Sequence, residues 1–297
     1  MKTNIHIPVL SAEVIDSLDL DPNDTVVDAT LGGAGHALQI TDKLGSDGHF
    51  IGIDTDPLAI KFGEDVLSDA KCSVDLVRAN FRDISKILDS LQIKNADKIL
   101  MDLGWSSNQI EDPERGFSFM ADGPLDMRLN PDAEISAHTV VNEWGEDTIA
   151  DILYGFSDER FSRPIARNIV EAREQVEITT TGQLAEIVAN SIPKRFHPKR
   201  LHPATKTFQA IRMAVNDELG ALKQGMTDGF VKLSANGIMS IITFHSTEDR
   251  AVKNYFRSLK QSGAGELINK KPITASETEL LNNQRARSAK LRAIKKL

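Results

Sequence analysis

The chain has 297 residues, 40% hydrophobic and 26% charged, with 35 basic against 43 acidic side chains and a net charge of −8. That length holds one large domain or two small ones with ample core, and the acidic balance excludes a globally electropositive nucleic-acid binder. The single cysteine, Cys72, excludes an internal disulfide; with no apolar run long enough for a bilayer and no signal-peptide core near Met1, a cytoplasmic location is expected.

The first pattern is strand, turn, helix. Val26 and Val27 suit a buried strand ending on Asp28, Gly32, Gly33 and Gly35 allow a tight turn, and Ala37–Ile40 opens a helix. A second strand over 49–54 ends on Asp54, about 20 residues past the glycines, where an acid commonly holds a cofactor's ribose hydroxyls. The pattern predicts a nucleoside-cofactor pocket and leaves open a nicotinamide dinucleotide or S-adenosylmethionine. Asp28 and His36 lean toward the second. A carboxylate there disfavours a pyrophosphate but tolerates a sulfonium, and His36 takes the place of a small residue facing a diphosphate.

Further strands are expected near 73–77 and 97–103, with helices at 57–62 and 84–91 between them. Such alternation predicts a parallel sheet with helices on both faces. Asp102 follows the apolar run Ile99–Met101, so Asp28, Asp54 and Asp102 are predicted neighbours at the C-terminal edge, where open α/β sheets bind ligands.

From about residue 111 to 216 the alternation stops. Helical patterns occupy 146–154, 158–175, 180–191 and 205–224. Arg160, Arg163 and Arg167 share one stripe, and Phe161, Ile165, Ile169 and Ala172 another; the first is a solvated face or a phosphate-contacting one. Strand character resumes at 237–245. Ser246–Asp249 has capping-box spacing before a helix to about Leu259, and weak strand candidates near 266–273 and 288–296 could close the sheet as a hairpin. The expected organisation is a doubly wound domain of residues 1–110 and 217–297 interrupted by a helical insertion, 111–216.

Two segments lack acids entirely. One spans 187–216 with Lys194, Arg195, Lys199, Arg200, Lys206 and Arg212; the other is the tail from Gln284, with Arg285, Arg287, Lys290, Arg292, Lys295 and Lys296. Both are candidate polyanion-docking surfaces. His197 and His202 have no recognisable ligand spacing, so no metal is expected.

The segment Asp102–Ser107, Gln109 and the run Glu114–Arg128, together with 202–212, 240–250 and 285–292, resembles the bacterial 16S ribosomal RNA cytosine-N4 methyltransferase family (RsmH, formerly MraW) over essentially the whole chain. The resemblance implies a Rossmann-like S-adenosylmethionine-dependent domain with an inserted helical substrate-recognition domain. It also implies methyl transfer to the exocyclic N4 of a cytosine in the decoding region of 16S ribosomal RNA, with the RNA met within the small ribosomal subunit; a homodimer is compatible with it. Carried over by motif, cofactor contacts fall at Ala34, Gly35, His36, Asp54, Phe81, Asp102 and Gln109. The catalytic candidate is Asp102, as acceptor or orienter of the amine or as a cofactor ligand only.

Serines 106 and 107 could shape the base pocket, with Trp105, Phe117 and Phe119 as stacking candidates. His245, at the end of the returning strand, either faces the cleft or is an ordinary hydrogen-bonded histidine. Alanine at position 34 departs from the family's usual glycine; were positive φ needed there, it would cost about 1 kcal/mol. Two alternatives remain at this point: a nicotinamide-dependent oxidoreductase, and a non-catalytic ribosome-binding factor with a degenerate pocket.

Overall fold

The computed structural model describes residues 8–104, 112–199 and 201–297; the expectations for Trp105, Ser106, Ser107, Gln109 and Arg200 lie outside them. Val26 and Val27 are fully buried in β1 (Thr25–Asp28), which pairs in parallel with β2 (His49–Asp54) on one side and β4 (Ala96–Asp102) on the other. Strands covered on both faces read as continuous apolar runs, which is how these appear in the sequence. β3 (Ser73–Arg78) extends the sheet beyond β2, and β5 (Leu233–Thr243) beyond β4, both parallel.

β7 (Lys290–Lys296) returns antiparallel to β5, and β6 (Gly265–Leu267) antiparallel to β7, giving seven strands in the order β3-β2-β1-β4-β5-β7-β6. The closing hairpin therefore forms, but its first strand is shorter than 266–273: Ile273 makes only an isolated bridge to Leu291. Strand order reverses between β1 and β4, and a reversal of this kind opens a crevice at the carboxyl ends of the two strands.

Alternate residues of the strands feed two cores, as a period of two requires. Val27, Ile51, Ile53, Ile99 and Met101 pack with Leu222, Met226 and Phe256, whereas Val26, Phe50, Leu100 and Ile242 pack with Val14, Leu18 and Ile40. Helices α2 (Gly35–Thr41), α3 (Pro57–Val66) and α4 (Ile84–Ser90) connect the first four strands. The sequence reading did not include α1 (Ser11–Leu18), an eight-residue helix whose Val14 and Leu18 are buried.

The chain divides into two compact units, Met1–Ser106 with Leu219–Leu297, and Ser107–Glu218. The second is helical: α5 (Ala137–Glu143), α6 (Glu146–Ser157), α7 (Ser162–Gln175), α8 (Thr181–Ser191) and α9 (Thr205–Val215) surround a core including Val140, Leu153, Ile165, Ile169, Leu184 and Ile211. Its described residues contain no strand, only the isolated bridge Pro124–Thr180.

Three element boundaries differ from expectation. The helical pattern at 205–224 is two helices, because Asp217 takes φ 44° between α9 and α10 (Glu218–Lys232). Asn216 at that break donates to the carbonyl of Met127 at 2.8 Å and accepts from the N–H of Leu129 at 2.8 Å, so the interruption anchors a distant loop. Arg160 and Phe161 precede α7 instead of riding on it, where Phe161 N–H bonds the Glu159 carboxylate at 2.8 Å.

The capping box after β5 is shifted by one residue: His245, not Ser246, caps α11 (Ser246–Gln261), paired with Glu248. Among the described residues, no helix is long and apolar enough to cross a membrane.

Candidate active site

The turn after β1 is built by backbone hydrogen bonds into both neighbouring strands. Ala29 N–H reaches Leu100 O at 2.9 Å, Leu31 N–H reaches Ile53 O at 2.9 Å, and Ala34 N–H closes back on Leu31 O at 2.8 Å. Gly32 and Ala34 both adopt left-handed backbone, with φ 49° and 54°. The condition under which alanine at 34 carries a backbone cost is therefore met. Its methyl group is 1% exposed in the core beneath the turn, and burying one carbon is worth about 0.8 kcal/mol, so packing offsets most of the strain.

Asp54 ends β2 beside this turn. Its Oδ2 accepts the N–H of Gly32 and its Oδ1 that of Asp56, each at 2.9 Å. Burial pushes its carboxyl above the usual range, opposed by these N–H groups. Asp102 ends β4 on the other side of β1. Its N–H donates to Thr30 Oγ1 at 2.6 Å, and its Oδ1 accepts the N–H of Gly104 at 2.9 Å. Oδ2 faces His36 Nε2 at 3.4 Å, outside hydrogen-bond alignment. Asp28 lies beneath, 1% exposed, with Oδ1 accepting Thr30 N–H at 3.1 Å. Burial pushes Asp28 up to about 6; His36 and the Thr30 N–H oppose this, while Asp102 and Asp54 add to it. The three acids predicted to be neighbours are thus electrostatically coupled.

Around them lies an open cleft of about 500 Å³, lined by Thr30, Leu31, Gly32, Gly33, Gly35, His36, Asp102 and Gly104, with Pro8, Val9, Phe244 and Arg285. Of the predicted site residues, Gly35, His36 and Asp102 line it directly. Ala34 sits behind the turn, and Asp54 is attached to the lining through Gly32. Phe81 is apart from the lining: it opens the short 3₁₀ turn after β3, half-buried against Gly225, where an added Cβ would come within 2.6 Å of its ring. The backbone just before it is tied to the same edge, Ala79 N–H to Asp54 O at 2.9 Å.

Thr30, Gly104 and Phe244 were missed as site residues. Gly104 had a readable signal, a glycine two positions after a strand-ending acid: a Cβ there would sit 2.8 Å from Phe244 Cζ and 2.9 Å from Asp102 Oδ1. Arg285 was expected only as part of a basic tail, and folding brings it to the cleft.

Several other expected ligands have structural roles. His245 Nδ1 accepts Glu248 N–H at 3.4 Å, while Glu248 Oε2 accepts the N–H groups of Phe244 and His245, which makes this histidine a helix cap. His197 Nε2 lies 2.9 Å from Ile192 O. Phe117 and Phe119 pack on the helical core, Phe119 against the rings of His202 and Phe208. Within the basic segments, Arg212 forms a two-pronged pair with Glu218 at 2.8 and 2.9 Å, Arg292 pairs with Asp249 at 2.7 Å, and Lys296 donates to the carbonyls of Phe230, Val231 and Leu233. Arg163, Arg167, Lys194, Arg195, Lys199 and Arg287 are exposed.

The sequence matches the family described as the MraW methylase family over residues 3–297. It is also 43% identical to the ribosomal RNA small subunit methyltransferase H of Brevibacillus brevis, over 98% of this chain and 98% of that protein. The chain belongs to the MraW methylase family. Among solved structures it is similar to an rRNA methylase from Streptococcus thermophilus (12% identity, TM-score 0.46, 96% of this chain and 95% of that one). It is also similar to NSun6 from Pyrococcus horikoshii with SFG (14% identity, TM-score 0.46, 100% and 55%).

Membership in this methylase family removes the oxidoreductase alternative and makes S-adenosylmethionine the cofactor. The cleft fits that donor. Gly32 and Gly33 leave backbone open to close approach, Asp54 stands beside them for hydroxyl groups, and the acidic floor of Asp28 and Asp102 suits a cationic sulfonium. His36 adds two buried ring nitrogens without a hydrogen-bond partner at the same place.

Proposed function

We propose that this methylase acts on small-subunit ribosomal RNA, transferring the methyl group of S-adenosylmethionine to the exocyclic N4 of a cytosine in the decoding region of 16S ribosomal RNA. The observation that carries this reading is Asp102, at the switch point of the sheet, with one carboxylate oxygen held by Gly104 and the other turned toward the cleft. The cofactor, when bound, supplies an electrophilic methyl group on sulfur.

The cytosine amine is a poor nucleophile because its lone pair is delocalised into the ring. An acceptor on its N–H localises that pair and takes up the positive charge that develops on nitrogen. Asp102 serves in this role: its strand and Thr30 Oγ1 fix the backbone, the Gly104 N–H holds Oδ1 and with it the rotamer, and Oδ2 remains as acceptor. Gly32, Gly33, Gly35 and Asp54 bind the cofactor, and Ala34 shapes their turn. Holding the amine in line with the reacting carbon supplies about 7–11 kcal/mol of the barrier.

A base reaches such a cleft only when unstacked, so the RNA is single-stranded or splayed at the target. The helical unit recognises it, with Arg163, Arg167, Lys194, Arg195 and Lys199 contacting phosphates. The deciding experiment incubates the protein with tritiated S-adenosylmethionine and small ribosomal subunits lacking their own modification, followed by nucleoside analysis. Label in N4-methylcytidine is expected. Cofactor binding with label in another nucleoside overturns the site assignment, and absence of both binding and transfer returns the non-catalytic alternative.

A further inference from the structure

His36 is a buried histidine with an unusual set of neighbours. Its side chain is 6% exposed, neither ring nitrogen has a hydrogen-bond partner among the described residues, and Nε2 lies 3.4 Å from Asp102 Oδ2. A buried polar atom without a partner costs about 1–3 kcal/mol, and a fold keeps such a group where some step of its work satisfies it. The charged groups placed about this ring are Asp102 on β4, at 3.4 Å, and Asp28 on β1, which interacts with it electrostatically, while Arg285 lines the same cleft. Pro8, Val9 and Phe244 complete the lining without charge.

We propose that His36 is the terminal proton acceptor of the reaction, taking through Asp102 the proton that the methylated amine sheds, with the carboxylate of Asp28 as its counter-charge. This rests on the reading of Asp102 as the group that meets the amine. The proton leaves N4 for Asp102 Oδ2, its bonding pair remaining on the nitrogen. It then passes from Oδ2 to the lone pair on His36 Nε2. Asp102 returns to its anionic form, the imidazole becomes an imidazolium with N–H at both nitrogens, and no electron is gained or lost.

The starting tautomer carries its proton on Nδ1. A separation of 3.4 Å closes to a hydrogen bond with a shift of a few tenths of an ångström, and catalytic contacts commonly tighten only when substrate is present. The imidazolium so formed lies between two carboxylates in a dry floor, where an opposite charge is worth far more than in water. The electrostatic effect of His36 on the wholly buried Asp28 reports the same closeness from the other side. His36 acts through Asp102 and is in that sense a positioning residue.

The test has two arms. In the first, the protein without cofactor or RNA is labelled with ¹⁵N in its histidine rings and titrated by NMR between about pH 5 and 9, in the native form and as Asp28→Asn and Asp102→Asn. Expected is a native His36 with its proton on Nδ1 and a bare Nε2 toward Asp102, and a change in that tautomer balance when Asp102 is replaced by Asn. A His36 that keeps one neutral Nε2–H tautomer throughout overturns the proposal.

In the second arm, His36→Gln is followed by single-turnover methylation at saturating cofactor. The expected loss is about 100-fold or more, with disappearance of the acidic limb of the pH–rate profile. An unchanged profile overturns the proposal even if the rate falls. If His36→Gln does not fold, the first arm alone tests the proposal; a native protein that methylates no cytosine overturns the reading of Asp102 on which it rests, and the His36 tautomer found in the first arm tells that failure from failure of the proposal itself.

Discussion

Asp54 Oδ2 accepts the backbone N–H of Gly32 at 2.9 Å, so the acid that ends β2 also holds the glycine turn after β1 in shape. Under the proposed function the same carboxylate that shapes the turn would also meet the cofactor's hydroxyl groups. Asp54→Ala is expected to weaken S-adenosylmethionine binding by at least about tenfold, or 1.4 kcal/mol, by titration calorimetry. It is also expected to lower stability by about 1 kcal/mol in denaturant unfolding, because the half-buried Gly32 N–H loses its acceptor.

Gly104 is the narrowest point beside the catalytic candidate. In Gly104→Ala the new methyl would press on Phe244 and on Asp102 Oδ1, each within 3 Å. Displacing Asp102 by even about 1 Å can cost 100-fold in rate. The expected result is a large fall in kcat with cofactor affinity nearly retained, measured by methyl transfer and calorimetry on the same preparation.

Asp28 trades stability for charge. Burial raises its folded pKa to about 6, above the unfolded carboxylate value, so its contribution to stability is fullest at low pH and is lost as pH rises through 6. Asp28→Asn should therefore raise the unfolding free energy at pH 8 by roughly 3 kcal/mol, and by little at pH 4. Thermal unfolding at the two pH values checks this; equal effects at both would show that the carboxylate is not desolvated as described.

Asp249 behaves in the opposite way. Burial would raise its pKa, but the Arg292 guanidinium at 2.7 Å and the Lys290 ammonium at 3.6 Å outweigh that and hold it below the usual range. A depressed folded pKa means stability present above the unfolded value and lost as pH falls through the folded one. Both side chains of the pair are under 15% exposed, so Arg292→Ala, which leaves the Asp249 carboxylate only the Lys290 ammonium at 3.6 Å, should cost about 1–3 kcal/mol at neutral pH. The loss should shrink as the medium is acidified below the ordinary carboxylate range.

The basic residues divide into two groups by environment. Charge reversal at Arg163, Lys194 and Arg195, all exposed on the helical unit, is expected to weaken RNA binding and to reduce the salt slope by about 0.7–0.9 per lost phosphate contact, with cofactor affinity unchanged. Lys296→Met also removes a positive charge but should instead lower stability, because its ammonium caps the carbonyls that end α10. Binding assays at several salt concentrations, beside denaturant unfolding, separate the two groups.

What the sequence by itself determined were the features with a local cause. Apolar runs ended by an acid define β1, β2 and β4, because a strand covered on both faces leaves no polar position until it emerges. The acids at 28, 54 and 102 were legible as edge residues for the same reason, and the long motif runs carried the family. Tertiary structure decided whatever depends on partners distant in sequence. Asn216 breaks a continuous helical pattern because residues 127 and 129 need its amide. Arg292 and Lys296 read as a basic tail until β7 inserts them beside Asp249 and the end of α10. His36 read as a turn residue, and only the sheet order, with β1 between β2 and β4, sets it over Asp28 and against Asp102. Local pattern records which face a residue must bury, while pairing and charge coupling arise between segments that only the folded chain brings within a few ångströms.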